Sequence, residues 1–352
     1  MPGLENRQIN KHPVPKKIER RKMYNGKKVL VTGGTGMIGV QLVKQLLEAG
    51  AIVRVASLDD PSRIGKEVEF MRGNLMEWDF CKTITQGMDY VFHLAGIKGS
   101  VGIGNKKAAS FLVPHLLMNT LMMEAARQSE VERYLFTSSI AVYNPVEVFV
   151  EDEAWEGSPH PTDKYAAWAK RMGELQAEAY KVEYGWDKIA IVRPANVYGP
   201  YDNFDPKTGM VVPALIGRVV GGENPLVVWG DGSTIRDFIY SEDCAQGMML
   251  ALEKGANCTP VNLGSGQRTS IKDVVEAVKS GFDKPPEILW DTEKPSGQPI
   301  RLMDMTRAKE MLGFTPKNSI QEGVKKTIEW YLSNTDLAEK RYNVFYKNKF
   351  IE

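Results

Sequence analysis

A glycine-rich turn between an apolar strand and a helix constrains this chain more than any other stretch. Residues 29–31 are apolar, residues 40–49 have a helical pattern, and between them lie Gly33, Gly34, Gly36 and Gly39. Gly33 suits the positive φ of a tight turn, Gly36 lets backbone approach a pyrophosphate, and Gly39 lets the helix pack close to the strand. The spacing G-x-x-G-x-x-G differs from the standard G-x-G-x-x-G fingerprint. The turn still indicates a dinucleotide site because a strand precedes it and a helix follows it.

Apolar strands alternate with helical stretches over residues 27–196. Candidate strands lie at 29–32, 52–57, 69–72, 90–94, 134–138 and 189–193, and candidate helices at 40–49, 108–128 and 165–184. Strands separated by helices indicate βαβ units and a parallel sheet covered on both faces. The sequence therefore predicts a Rossmann-like, doubly wound α/β fold.

The pattern changes after Asn196, where short strands and helices alternate with glycine- and proline-rich connections. Strands are expected at 226–229, 261–263 and 287–290, and helices at 211–220, 242–253, 271–280 and 320–332. We expect a smaller C-terminal α/β lobe that closes over the carboxyl ends of the parallel strands. The chain then divides into a basic flexible arm (1–26), a dinucleotide-binding domain (27–196), an interleaved substrate lobe (197–334) and a tail of unknown role (335–352).

Charge and cysteine content exclude several classes of function. The net charge is +1, which favours neither nucleic acid nor an anionic membrane surface. No apolar run has the length of a membrane span, and the N-terminal segment lacks a signal-peptide core. The three cysteines lack the spacing of a metal site or a disulfide framework. The sequence predicts a cytoplasmic protein without a metal.

The helix expected at 108–128 is apolar on more than one face. A helix with one wet side should not have this pattern, so we expect it to pack against a second subunit in a homodimer. A larger cover within the same chain is the alternative.

The end of the second strand bears on the choice of cofactor. NAD-specific folds of this type place a carboxylate there to accept from the ribose 2′-OH. Ser57 carries no charge that would repel the 2′-phosphate of NADP, and Arg63 follows nearby, so NADP is favoured. Asp59 and Asp60 leave NAD open. Asn74, after the third strand, is a candidate adenine contact.

Several further motifs follow in order along the chain. Residues 135–143 read LFTSSIAVY, Tyr165 and Lys170 come next, and residues 193–200 read RPANVYGP. With the glycine turn, these motifs resemble the extended short-chain dehydrogenase/reductases that act on nucleotide sugars, over roughly residues 27–333. The stretches YGPYDNF (198–204), VWGDG (228–232) and RDF (236–238), and those at 290–291 and 294–295, are most similar to the GDP-fucose synthase branch.

The resemblance implies that Ser139, Tyr165 and Lys170 are catalytic. When a hydride is transferred at a sugar carbon, a proton has to move to or from the oxygen on that carbon. A Tyr hydroxyl can exchange this proton when a nearby Lys ammonium lowers the Tyr pKa from about 10. A Ser hydroxyl fixes the substrate oxygen. The resemblance also implies cofactor contacts from Gly33, Thr35, Gly36, Met37, Ile38, Gly39, Ser57, Asn74, Leu75, Leu94, Ala95, Gly96, Tyr165 and Lys170.

The spacing of Tyr165 and Lys170 departs from the family pattern Y-x-x-x-K by one extra residue. Five residues rotate a helical side chain to about 140° from the starting face, whereas four return it almost to the same face. A π-bulge would realign the pair. The competing hypothesis is a broken dyad in a protein that binds the nucleotide without turning it over.

Two absences narrow the reaction. The Asp-Glu pair of the 4,6-dehydratases matches Ile140 and Ala141, and the Cys and His used for 3,5-epimerisation in the GDP-fucose synthase branch match Ala141 and Met210. None of these side chains carries a proton, so redox at C4 is what remains. His160 is a marginal acid candidate, while His93 is expected to be structural and His115 to lie in the core or an interface.

For the substrate, the resemblance places Arg218 and Arg236 on the diphosphate, where a fork of donors suits the charge. Asn196, Lys294 and Arg301 are further candidate contacts, and Trp229 either stacks on the base or packs the lobe. The sequence thus predicts an NAD(P)-dependent reductase or epimerase acting at C4 of a nucleotide sugar, with GDP as the favoured nucleotide. The alternatives are a full epimerase–reductase of the GDP-fucose synthase type and a catalytically silent NADP(H) sensor.

Overall fold

The computed structural model describes residues 22–97, 107–294 and 297–339. Most of the expected N-terminal arm and tail residues 340–352 therefore lie outside the described residues. In chain order the strands are β1 Lys28–Thr32, β2 Ile52–Ser57, β3 Glu69–Arg72, β4 Tyr90–His93, β5 Arg133–Thr137, β6 Val148–Phe149, β7 Ile189–Pro194, β8 Asn196–Tyr198, β9 Leu226–Trp229, β10 Ile235–Arg236, β11 Phe238–Tyr240, β12 Pro260–Leu263, β13 Thr269–Ser270, β14 Ile288–Asp291 and β15 Ile300–Met303.

The α-helices flank and connect these strands. They are α1 Met37–Glu48, α2 Trp78–Thr85, α3 Ala108–Gln128, α4 Lys164–Tyr184, α5 Val211–Val220, α6 Ser241–Lys254, α7 Ile271–Lys279, α8 Ile320–Ser333 and α9 Thr335–Glu339. No helix among the described residues is both long enough and apolar enough to cross a membrane.

A parallel seven-stranded sheet forms the centre of the molecule, in the order β12-β7-β5-β4-β1-β2-β3. Its inner strands read as continuous apolar runs because both faces are covered, and residues 29–31 of β1 are fully buried. This confirms the expected doubly wound α/β fold. The strand order reverses between β1 and β4, which is where such sheets bind their ligands.

The smaller lobe has its own sheets and its own core. One sheet has the order β13-β10-β15-β6, and the pairs β11-β8 and β14-β9 complete the lobe. We expected the strand near residues 261–263 in this lobe, but β12 pairs in parallel with β7 in the central sheet. Helix α6 also packs on β5 and β7. This part of the chain therefore belongs to the central sheet, although segments of the smaller lobe precede and follow it in sequence.

Helix α4 lies very close to β5, because Gly173 faces the sheet. A Cβ atom built at Gly173 would lie 2.2 Å from the ring of Phe136. This approach brings Lys170, one turn earlier on the helix, to the end of β5, where its Nζ donates to the Thr137 carbonyl at 2.7 Å.

We predict that Gly173→Ala lowers the free energy of unfolding by about 1–3 kcal/mol, because the methyl group forces the helix away from Phe136. Urea unfolding followed by circular dichroism measures the change. Glu178→Ala, at an exposed position on the same helix, is the control and should stay within about 0.5 kcal/mol. Equal stability of Gly173→Ala and the unsubstituted chain would show that the contact is not a constraint.

Candidate active site

The glycine turn has the geometry that a pyrophosphate requires. Gly33 has φ +68°, and a Cβ there would lie 3.0 Å from the Ala95 backbone. A Cβ at Gly39 would lie 2.3 Å from the Gly33 carbonyl oxygen, whereas at Gly36 it would meet only that oxygen, at 3.2 Å. Helix α1 begins without a side-chain cap, so the N–H groups of its first turn face an open cradle that fits an anion.

The residues after β2 form a small polar cluster against this turn. The Thr35 hydroxyl lies 2.6 Å from the Ser57 hydroxyl and 3.0 Å from an Asp59 carboxylate oxygen. The Asp59 N–H donates to Ser57 Oγ at 3.2 Å, and Arg72 donates to the Asp59 carbonyl. A carboxylate therefore lies beside the turn at the end of β2, two residues later than the sequence position at which one is expected.

Arg63 does not lie free beside this cluster. Its side chain is buried, and its Nη2 donates to the carbonyls of Leu337 and Ala338, at 2.9 and 3.3 Å. The Arg63 guanidinium thus binds the C-terminal helix and does not extend into the cluster formed by Thr35, Ser57 and Asp59.

Two buried histidines hold the segment after β4, which contains Leu94, Ala95 and Gly96. Thr32 Oγ1 accepts from the Ala95 N–H and lies 2.8 Å from His93 Nδ1, while His93 Nε2 lies 3.2 Å from the side-chain oxygen of Asn119. Asn119 in turn donates to the Ala169 carbonyl, next to Lys170. This chain of hydrogen bonds connects the end of β1 with helix α4.

His115 holds the same segment from the other side. Because a carbonyl only accepts, His115 Nδ1 donates to Phe111 O, and Nε2 accepts from the Ile97 N–H. Burial, followed by the nearby charge of Lys170, lowers the pKa of His115 to about 4 and that of His93 to about 3. Both rings are neutral at physiological pH. This confirms the structural role expected of His93 and places His115 in the core.

Lys170 and Ser139 are two of the three residues that the sequence predicts to be catalytic. Lys170 is buried, and burial lowers its pKa to about 8, although Glu174 opposes that shift. Ser139 follows β5 and accepts from the Ala141 N–H at 3.1 Å. Both therefore lie just beyond the carboxyl end of β5.

Tyr165 does not realign with Lys170 through a widened helical turn. Residues Lys164–Tyr184 form a regular α-helix, so the expected π-bulge is absent there; the structure has a π-helix elsewhere, at Ala308–Leu312. Ala166 therefore stands four residues before Lys170. Tyr165 lies in the first turn of α4, half-exposed, with Lys164 Nζ 5.8 Å from its ring centroid.

A buried ion pair behind the site was missed by the sequence analysis. Glu174, one turn beyond Lys170, pairs with Arg193 at 2.6 Å, and both side chains are at least 96% buried. Glu174 also accepts from Ser138 at 2.5 Å, and Arg193 donates to the Tyr143 hydroxyl and the Glu151 carbonyl. The sequence signal was a Glu at a helical position that faces the sheet, four residues after Lys170.

Two arginines lie next to each other on neighbouring strands of the smaller lobe. Arg236 and Arg301 are register partners on β10 and β15, and Arg301 Nη2 pairs with Asp163 at 3.0 Å. Burial, and then the charge of Arg301, lowers the pKa of Arg236 to about 10. Arg301 Nε is buried and without a partner among the described residues. An anionic ligand would relieve both conditions.

The structure does not bring the other candidate substrate residues to this pair. Arg218 binds Glu223 and the Val227 carbonyl. Asn196 donates its side-chain amide to the Asp237 carbonyl. Trp229 is 61% exposed at the end of β9, and Lys294 is exposed after β14. Arg218 is thus engaged in a local ion pair, which explains its place on α5 without a ligand.

The doubly wound sheet and the glycine cradle at its strand-order reversal are the features of a nicotinamide-dependent enzyme built on the extended short-chain dehydrogenase fold. More particularly, residues 29–264 match the model of the NAD dependent epimerase/dehydratase family, and the chain belongs to that family. It is an NAD(P)-dependent enzyme of the nucleotide-sugar epimerase/reductase class.

Individual relatives cover nearly the whole chain. GDP-L-fucose synthase 1 of Arabidopsis thaliana is 32% identical, over 87% of this chain and 94% of that protein. The dTDP-4-dehydro-6-deoxy-D-allose reductase of Streptomyces bikiniensis is 29% identical, over 89% and 98%. The structure of UDP-glucose 4-epimerase from Thermotoga maritima is 30% identical, with a TM-score of 0.76 over 88% of this chain and 99% of that one.

Proposed function

We propose that this protein transfers a hydride at C4 of a nucleotide sugar, as a 4-keto reductase or a 4-epimerase, without dehydrating or 3,5-epimerising it. The observation that carries this proposal is that Ser139 and Lys170 both lie at the carboxyl end of β5, with no further acid at the matching positions. Ile140 and Ala141 follow Ser139, and Met210 precedes α5. These side chains cannot remove a proton from C3 or C5.

Each polar group at the site has a defined task in this proposal. When bound, the nicotinamide supplies or accepts the hydride. Ser139 hydrogen-bonds the C4 oxygen, and buried Lys170 supplies positive charge beside it. Tyr165 exchanges the proton from the first turn of α4, where no described residue bonds its hydroxyl. Because Tyr165 lies about 140° around the regular helix from Lys170, Tyr165 acts on the C4 oxygen in this proposal without contacting Lys170.

Arg236 and Arg301 hold the diphosphate of the substrate in this proposal. The two guanidinium groups share one carboxylate partner, Asp163, so a net positive charge remains there for the diphosphate. The sequence similarity to a GDP-L-fucose synthase favours a GDP-sugar. The similarity to a dTDP-4-dehydro-6-deoxy-D-allose reductase supports reduction of a 4-keto sugar.

We predict that the chain oxidises NADH or NADPH with GDP-4-keto-6-deoxy-mannose, or equilibrates a GDP- or UDP-hexose with its C4 epimer. Tyr165→Phe should lower kcat at least 100-fold, because it removes the proton donor. Nicotinamide absorbance and product NMR measure turnover. Tyr184→Phe, at an exposed position at the far end of α4, is the matched control and should leave kcat unchanged.

Three outcomes of that experiment separate the alternatives. Tight cofactor binding without turnover on any sugar favours a catalytically silent sensor, which Ala166 at the usual tyrosine position supports. Deuterium incorporation at C3 or C5 in D₂O indicates full epimerase–reductase activity. Turnover that survives Tyr165→Phe contradicts the role given to Tyr165.

We further propose that NAD is the preferred cofactor, against the preference for NADP that Ser57 suggested. The Asp59 carboxylate, fixed by Thr35 at 3.0 Å, lies at the end of β2, the position that faces the ribose 2′-OH in this fold. A 2′-phosphate there would meet a like charge, and Arg63 is buried elsewhere.

We predict that the chain binds NAD at least tenfold more tightly than NADP, and that Asp59→Asn removes most of this difference, because one negative charge no longer opposes the phosphate. Isothermal titration calorimetry gives both dissociation constants. Glu67→Gln, at an exposed position before β3, is the charge-matched control and should leave the difference unchanged. Equal affinity for the two cofactors in the unsubstituted chain would refute the preference.

The homodimer remains a proposal, with the face of α3 and α4 as its interface. The two helices pack side by side and leave Val113, Leu117, Met172 and Leu175 between 36% and 49% exposed. Contiguous exposed apolar side chains on neighbouring helices are typical of an interface.

We predict that the full chain is a dimer by light scattering and that Leu117→Glu makes it a monomer, because the charge is desolvated in the interface. Leu332→Glu, on α8 with 53% exposure, is the control and should leave the dimer intact. A monomeric unsubstituted chain would rule out this interface.

A further inference from the structure

The C-terminal helix α9 contacts the loop that follows β2. Arg63, at the end of a short 3-10 helix (Pro61–Arg63), donates from Nη2 to the carbonyls of Leu337 and Ala338. These carbonyls belong to the last turn of α9, whose C=O groups have no partner within the helix. A cation at a helix C-terminus also interacts favourably with the helix dipole.

The same loop carries Asp59 at its other end. Asp59 is fixed against the glycine turn by Thr35, and Asp60 caps the 3-10 helix by accepting from the Ser62 N–H at 2.8 Å. Only the residues of this capped turn separate Asp59 from Arg63. Asp59 and Arg63 are therefore the two ends of one short, capped turn.

Helix α9 belongs structurally to the smaller lobe. It follows α8 directly, the N–H groups of Leu337 and Ala338 both donate to Asn334 O, and Ala338 packs against the lobe's apolar core. Arg63 thus ties the loop of the central sheet to the lobe that takes the substrate.

We infer that α9 is a strap that positions the Asp59 loop, so that the affinity for the adenosine half of the cofactor depends on the C-terminal segment. This inference rests on the proposed cofactor site. It gives a role to the beginning of the tail, for which the sequence pattern predicts none. Arg63 and α9 act here as positioning elements and do not touch the cofactor.

A double-mutant cycle in the full-length chain tests the strap. Arg63→Gln removes the guanidinium that donates to the Leu337 and Ala338 carbonyls. Ala338→Pro removes an N–H that donates to Asn334 O, and so disrupts the helical turn that carries those carbonyls. Each should weaken ADP-ribose binding about tenfold in calorimetry, because charge-assisted hydrogen bonds that fix the loop are lost. The double variant should bind no more weakly than either single variant, because both remove one shared contact.

Two control variants keep the test specific. Arg54→Gln removes an arginine that also donates to two carbonyls, those of Ile84 and Gln86, away from the loop. Asp336→Asn changes a side chain of α9 and keeps the Ala338 N–H that donates to Asn334 O. Both should bind ADP-ribose within twofold of the unsubstituted chain. Binding of nicotinamide mononucleotide, which does not reach the loop, should be unchanged in every variant.

The outcomes distinguish the strap from the cofactor site itself. Folded Arg63→Gln or Ala338→Pro protein with unchanged ADP-ribose affinity, or additive losses in the double variant, overturns the strap. If Ala338→Pro does not fold, Arg63→Gln alone decides, with circular dichroism as the check of folding. A full-length chain that does not bind ADP-ribose overturns the cofactor site together with the strap.

Discussion

The buried pair of Glu174 and Arg193 is the interaction on which the site depends. Two charges removed from water are tolerated only when every lone pair and proton is bonded. Here Ser138 and Tyr143 complete the set, and Tyr143 continues the network to Asn262 of β12. Helix α4, strand β7 and the last strand of the sheet are thereby fixed relative to one another, and Lys170 and Ser139 lie at the rim of this network. A carboxylate beside Lys170 also keeps its buried amine more basic than burial alone would.

Local pattern was sufficient for most of the fold. Strands β2 and β3 and the 21-residue helix α3 have the bounds expected from the sequence. The reason is physical for the inner strands: a strand covered on both faces, such as β1, has to be apolar throughout. Strand β12 has the same local pattern as the strands of the smaller lobe. Its partner, β7, is about 70 residues away in sequence, and spacing does not reveal such long-range pairing.

The site was harder to predict for the same reason. Motif positions predict the glycine turn, Ser139 and Lys170 as site residues, and each of them lies next to a strand end in the structure. Asp59 was noticed but ranked below Ser57, since only the folded loop shows that its carboxylate turns back onto Thr35. Arg218 matched a motif position, yet its guanidinium forms an ion pair with Glu223, five residues later in the chain. The π-bulge was an inference from the family spacing of Tyr and Lys. Helix α4 is regular instead, so Tyr165 and Lys170 lie on different faces of it.

The return of the chain to the central sheet has a consequence for synthesis on the ribosome. Strand β12 and helix α6 cover β5 and β7, and the Tyr24 hydroxyl near the beginning of the described chain donates to the Met249 carbonyl in α6. A nascent polypeptide that ends before this segment has an open edge on β7 and an uncovered apolar face. The seven-stranded sheet is therefore complete only after residue 263 has been synthesised and β12 has paired with β7.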